Sequence, residues 1–369
     1  MPDNPTRRDM LKLTASAAAA IVVPASAKPV DAGDQLLQLD RDVRVALIGL
    51  EGHYSEILDV AKMSSRIRIT AVAEKNPDLL RRAVSDALIS KATPYSDYRD
   101  LLDREQIDVV AVCGENAARA AIVLDCAERK LAVVAEKPLA ITMEDLSRIR
   151  KKVESVGSPL TLLLSMRFDP VYRKIRSIVR EGEIGEVVTV AAQKSYKLGD
   201  RPDWMKSRSN FGGIIPYIGI HMIDLMRWTS GRDFVEAAAF QSNVGALQIR
   251  EMENNAAMIF RLDNRGTGSL RMDYLRPETA PTHGDDRLRI AGTRGVVEFQ
   301  EGRGVTLISA ARKTAQITDL PPVKHLFADF LESLYSGGKH LISLEEVFRV
   351  SEIVLKVRDA AETGTIVRL

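Results

Sequence analysis

Among its 369 residues the chain has only two cysteines, Cys113 and Cys126. That count excludes a disulfide framework and a cysteine-built zinc site. Tryptophan is equally scarce, and aromatics make up 5% of the chain, too few for a carbohydrate-binding face of stacked rings. Five histidines show no paired ligand spacing, so no metal is expected. The formal charge is only +2, and no basic stripe with interleaved aromatics occurs. Nucleic acid is therefore not an expected partner. There are no internal repeats, no low-complexity segment and no long linker.

What is present describes a folded protein. The chain is 45% hydrophobic and 28% charged, and it is long enough for two cores. Cys113 ends an apolar strand and Cys126 lies in the following helix, which reads as two buried thiols. The N-terminus reads differently. Thr6-Arg7-Arg8-Asp9-Met10-Leu11-Lys12 has the form of a twin-arginine export signal, followed by a weakly apolar run from Leu13 to Val23 and the small-residue end Ala25-Ser26-Ala27. The apolar run is too short to span a bilayer. Residues 1–27 are thus expected to be a signal peptide, with a mature chain from about Lys28 that is periplasmic or secreted and meets the export machinery only transiently. Residues 28–40 read as a lead-in.

From residue 41 to 167, apolar strands alternate with helices. The strands are 43–48, 67–73, 109–113, 132–135 and 160–165, and the helices are 56–63, 77–88, 97–103, 117–130 and 142–156. Nearly continuous apolar strands separated by helices predict a parallel sheet covered on both faces, the doubly wound nucleotide-binding architecture. From 168 to 369 the pattern shifts to longer alternating segments at 187–196, 234–243, 256–262, 268–275, 287–291, 295–299 and 305–308. With helices at 170–180, 215–229, 323–335 and 344–362, these predict an α+β domain with a mostly antiparallel open sheet.

The turn after the first strand is Gly49-Leu50-Glu51-Gly52-His53-Tyr54-Ser55. A dinucleotide fingerprint needs glycines here, so that backbone can approach a pyrophosphate. Gly49 is in register, Glu51 and Tyr54 replace the second and third glycines, and Gly52 offers a shifted alternative. Glu74 ends the second strand, where a carboxylate accepts hydrogen bonds from an adenosine ribose. Glu74 favours NAD over NADP, whose phosphate it repels; Lys75 beside it blurs the preference.

Val133-Val134-Ala135-Glu136-Lys137-Pro138-Leu139-Ala140 closes another parallel strand, and Lys137 falls at its carboxyl end, where ligands bind in such sheets. Downstream, Asp203-Trp204 leads through Gly212-Gly213 into Ile214-Ile215-Pro216-Tyr217-Ile218-Gly219-Ile220-His221-Met222-Ile223-Asp224-Leu225. On a helix, residues 217, 221 and 224 share a face. His221 is then placed to exchange a proton with a substrate hydroxyl.

These blocks resemble the Gfo/Idh/MocA oxidoreductase family from about Val43 to the C-terminus. The resemblance implies an N-terminal Rossmann-type domain and a C-terminal α+β domain for substrate and oligomerisation. It places Lys137 between nicotinamide and substrate, with His221 and Tyr217 as the other catalytic candidates. It assigns Gly49, Gly52, Glu74, Asn116, Glu136 and Pro138 to the cofactor, and Arg167, Trp204 and Asp224 to the substrate face. Lys194 is a further candidate for the pocket wall. Five residues depart from the family pattern: Glu115 and Arg119 replace a proline and a histidine, Glu51 and Tyr54 two glycines, and Tyr217 an acid. A tyrosine ionises near pH 10 and an aspartate near 4, so the two cannot share a role. The function implied is hydride transfer between NAD, or NADP, and a secondary hydroxyl of a sugar or polyol, with a tightly retained cofactor and a homodimer or homotetramer. Two alternatives remain open: glycoside cleavage through a keto-sugar, and a non-redox sugar-binding protein on the same fold.

Overall fold

The computed structural model describes residues 37–369; the expected signal peptide and most of the lead-in lie outside the described residues. Chain order begins with β1 (Val43–Ile48), α1 (Ser55–Ala61), β2 (Ile67–Ala73), α2 (Pro77–Ala83), β3 (Thr93–Tyr95), α3 (Tyr98–Arg104), β4 (Val109–Val112) and α4 (Asn116–Glu128). It continues with β5 (Ala132–Ala135), α5 (Met143–Val156) and β6 (Leu160–Leu162). These strands form a six-stranded parallel sheet in the order β3-β2-β1-β4-β5-β6. The order reverses between β1 and β4, and that reversal opens a crevice at the carboxyl ends of the strands. Val43, Val45, Ala46 and Leu47 have no exposed surface, and β4 is equally buried. Burial on both faces is why these strands read as unbroken apolar runs. Cys113 and Cys126 are both buried free thiols.

The second half begins with α6 (Pro170–Arg180), β7 (Val187–Lys197), the short α7 (Arg208–Phe211), α8 (Ile220–Ser230), β8 (Phe234–Ser242), β9 (Asn255–Leu262) and β10 (Thr267–Arg276). Then come β11 (Arg287–Gly292), β12 (Gly295–Gln300), β13 (Gly304–Ser309), β14 (Arg312–Ile317), α9 (Leu326–Tyr335), α10 (Leu344–Thr363) and β15 (Val367–Arg368). Among the described residues the strands form a nine-stranded sheet, β14-β13-β12-β11-β7-β10-β9-β8-β15. Every pairing is antiparallel except β7 with β10. Strand β9 alternates buried Ala256, Met258, Phe260 and Leu262 with outward residues, so one face packs on helices and the other is open.

Helix α10 packs on β8 and also reaches α5 and β6 of the first sheet. It starts from a capping box in which Ser343 and Glu346 satisfy each other's backbone amides. The other oxygen of Glu346 accepts from buried Arg167 at 2.8 Å.

Candidate active site

The cofactor side is built where β1, β2 and β4 end. Gly49 has φ +81°, and a Cβ there would lie 2.2 Å from Gly114 Cα, so only glycine lets the β1 and β4 turns meet. Around them a crevice of about 180 Å³ is lined by Gly49, Glu51, Glu74, Lys75, Gly114 and Glu115, among others. Glu74 holds the loop: its carboxylate accepts from the Leu50 amide at 2.8 Å and from the Asn76 amide at 2.9 Å. Gly52 does not open toward a phosphate as expected. Its amide donates to the Cys113 carbonyl at 2.8 Å, and a Cβ there would strike that oxygen. Gly52 therefore packs the loop onto β4 instead of supplying a cradle amide. Burial pushes the Glu51 carboxyl upward, and Glu115 and Glu74 push in the same direction.

Lys137 leaves the end of β5 almost wholly buried. Its Nζ lies 3.4 Å from Glu136 Oε1 and 3.6 Å from the centre of the Tyr217 ring. The ammonium meets the face of the tyrosine in a cation–π contact. Burial opposes the charge on Glu136, yet Lys137, a 2.7 Å hydrogen bond with His53 Nδ1, and Arg119 hold its pKa at about 2. Glu136 thus faces inward as the counter-ion of Lys137. Arg119, where the family pattern has histidine, is buried and donates to the carbonyls of Pro138 and Gly114. It ties the turn after β5 to the turn after β4. Pro138 is buried, and its carbonyl is engaged by Arg119. Asn116, at the start of α4, donates to the Phe211 carbonyl at 2.8 Å and leaves its buried Oδ1 without a partner.

The third wall comes from the second half. Gly213 has φ +108°, and after it residues Ile215–Gly219 form one wide π turn that runs into α8. The expected single α-helix over 215–229 therefore has a π segment at its start, a distortion common at functional sites. Tyr217 projects to Lys137 and stacks toward Phe211, with ring centres 5.0 Å apart. His221 comes one turn later. Burial drives its pKa well below the ordinary value, and Lys137, Lys194 and His53 add to the effect. A neutral imidazole with a buried, unpartnered Nδ1 is the result.

Arg167 and Asp224 are not at a substrate surface. Arg167 has no exposed surface and holds Asp224 bidentately, at 2.7 and 2.6 Å, besides its bond to Glu346. These groups are a buried ion-paired joint between the 3₁₀ turn Ser165–Phe168, α8 and α10, and their assignment to the substrate is corrected. Trp204 packs toward Phe211, with its buried indole N–H directed at the Glu51 carboxylate. Lys194, wholly buried on β7, pairs with Asp286 at 2.8 Å, and burial lowers its pKa. Arg201, Tyr274 and Asp286 were not singled out from the sequence. Tyr274 follows the inward alternation of β10, the one signal that could have found it.

Residues 43–163 match the oxidoreductase family with an NAD-binding Rossmann fold, and residues 172–298 match the GFO/IDH/MocA C-terminal domain. The chain belongs to the GFO/IDH/MocA oxidoreductase family. It is 30% identical over 257 residues to an inositol 2-dehydrogenase of Burkholderia multivorans, covering 69% of this chain and 72% of that protein. A Thermotoga maritima protein described as an oxidoreductase is 35% identical and superposes with a TM-score of 0.84, over 89% of this chain and all of that one. A levoglucosan dehydrogenase solved with NADH and levoglucosan has a TM-score of 0.77 at 20% identity, over 89% and 99% of the two chains, a likeness of fold. This member is accordingly an oxidoreductase that binds NAD. Its residues fit that group: Glu74 at the β2 end lines the β1/β4 crevice, and Asn116, next to crevice residue Glu115, keeps a buried oxygen without a partner. The engaged amides of Leu50 and Gly52 narrow the loop without closing the crevice.

Proposed function

We propose that the protein oxidises a secondary hydroxyl of a sugar, polyol or derivative, or reduces the corresponding ketone. The observation that carries this reading is the set of unsatisfied buried polar atoms beyond Lys137: His221 Nδ1, Tyr274 Oη and Asp286 Oδ1. Buried polar groups are nearly always hydrogen-bonded, so these orphans mark where a hydroxyl-rich ligand completes them. Glu74, Asn116 and the β1 turn would hold NAD, which when bound would supply the hydride acceptor for the carbinol carbon. His221, neutral, accepts the hydroxyl proton as the C–H bond is lost. Lys137 stabilises the oxygen as negative charge develops on it. Tyr217, its ring under the ammonium, positions Lys137.

The test is a panel of polyols and sugars assayed by NADH absorbance with wild type and Lys137→Ala. We expect a substrate on the panel and a loss of roughly 10²–10⁴ in kcat in the variant. Unchanged turnover would sink the role of Lys137.

We further propose export by the twin-arginine route with NAD retained, supported by the Arg7-Arg8 segment and the folded crevice. Denaturing the exported protein and weighing the released nucleotide by mass spectrometry tests this. A homo-oligomer formed through the open face of the second sheet is part of the same reading, since Phe240 and Ile259 stand 72% and 63% exposed there.

A further inference from the structure

Charges around the substrate side of the site come in neutral pairs. Lys137 lies 3.4 Å from Glu136, and Lys194 lies 2.8 Å from Asp286. Other half-buried arginines of the second half sit on a carboxylate, as Arg208 and Arg227 do, or on a backbone carbonyl, as Arg176 does. Arg201 does not. It stands in the loop after β7, three residues before Trp204, with its guanidinium carbon 4.6 Å from the centre of the Tyr274 ring. Its Nε is buried and has no partner, and no carboxylate of the described residues lies within ion-pair distance.

Arg201 is joined to the catalytic groups through β10. Tyr274, whose ring lies under Arg201, and Met272 share the inward face of that strand, and Met272 packs on Gly219 of the π turn that carries Tyr217, whose ring lies under Lys137. The Tyr274 hydroxyl is itself buried and unpartnered. This cation is therefore set apart from Lys137 along the same inward face, where the far end of a ligand reacting at Lys137 would lie. A guanidinium over an aromatic ring keeps its planar fork of donors, the geometry that a carboxylate matches bidentately. One uncompensated cation also balances one negative charge, which suits a carboxylate better than a phosphate dianion.

We propose that the substrate is a sugar acid, a uronic or aldonic acid or its glycoside, and that Arg201 receives its carboxylate. This rests on the sugar or polyol reading above and narrows it.

The experiment uses the full-length mature protein saturated with NADH. Binding of hexuronates and aldonates is measured by calorimetry beside the neutral methyl ester or amide of each. At least one acid is expected to bind 10-fold or more tightly than its neutral derivative. Arg201→Gln is expected to erase that preference, and Arg201→Lys to restore part of it, while the NADH affinity of both variants stays at the wild-type value. The proposal is overturned if no acid binds more tightly than its neutral form, or if Arg201→Gln leaves the ratio unchanged. It is also overturned if Arg201→Gln weakens NADH as much as it weakens the acid, since Arg201 would then serve the cofactor. An acid that binds through Arg201 but is never oxidised or reduced upholds the carboxylate assignment and removes the redox reading instead.

Discussion

Glu51 lines the cofactor crevice in a place where a dinucleotide fold ordinarily has glycine, and burial followed by Glu115 and Glu74 raises its pKa. A bound diphosphate adds further negative charge and raises it again. Glu51→Gln is therefore expected to tighten NADH roughly 5-fold, about 1 kcal/mol for a like-charge contact at intermediate dielectric. Wild-type affinity should improve as pH falls toward the raised pKa of Glu51, because Glu51 takes up a proton, and the variant should lose that slope. Fluorescence titration of NADH measures both. His221 makes the opposite prediction. Its pKa is lowered, so the neutral base persists below pH 6.5. In the oxidation direction kcat/KM should stay level through pH 6.5 and decline only in more acidic solution. A break near 6.5 in the pH–rate profile would mean that a different group carries the proton. Both residues were visible as letters in a motif; the direction of their titration was not, because it depends on burial and on neighbours from other elements, Glu115 and Glu74 for Glu51 and Lys137, Lys194 and His53 for His221.

Elements position these side chains through two joints. One is the π turn Ile215–Gly219, in which Pro216 supplies no N–H and Gly213 enters with positive φ. Apolar spacing predicts a helix here but cannot distinguish i→i+5 from i→i+4 bonding, since both bury the same face. The shared-face argument for residues 217, 221 and 224 therefore held only in part: Tyr217 turns to Lys137 and Asp224 to Arg167. The second joint is Arg167–Asp224–Glu346. Removing one partner of a buried ion pair leaves an uncompensated charge that costs about 3–5 kcal/mol. Asp224→Asn is expected to lower unfolding stability by that order in urea titrations, and the double change Arg167→Met with Asp224→Leu to recover most of it. If Asp224→Asn keeps wild-type stability and loses substrate affinity, the joint is instead a substrate contact. Strand β14, a polar run RKTAQI, and the two-residue β15 escaped the sequence reading because they exist through pairing with β13 and β8 and carry no apolar alternation of their own.

At the scale of the molecule, the second sheet leaves one face uncovered. Phe240 on β8 lies beside Ala257 on β9, two residues from Ile259, and all three point outward. An apolar strip of this kind on an open sheet marks an interface. Phe240→Asp combined with Ile259→Asp is expected to convert the wild-type oligomer to a monomer in sedimentation equilibrium; a wild-type monomer would remove the proposal. Helix α10 joins the two sheets, so the wall carrying Lys137 and the wall carrying His221 are held against each other by one continuous element.

The sequence alone determined the two sheets, their parallel and antiparallel character, the family, and the positions of Lys137 and His221. These rest on apolar periodicity and on short motifs whose chemistry is local to a strand end or a helix turn. Tertiary structure decided the rest. It closed Gly52 onto Cys113, turned Glu136 inward to Lys137, removed Arg167 and Asp224 from the substrate face, and left Arg201 without a carboxylate. Each of these depends on which distant charge or carbonyl lies within about 3–4 Å, where burial makes pairing or its absence energetically large. No periodicity along the chain encodes that distance.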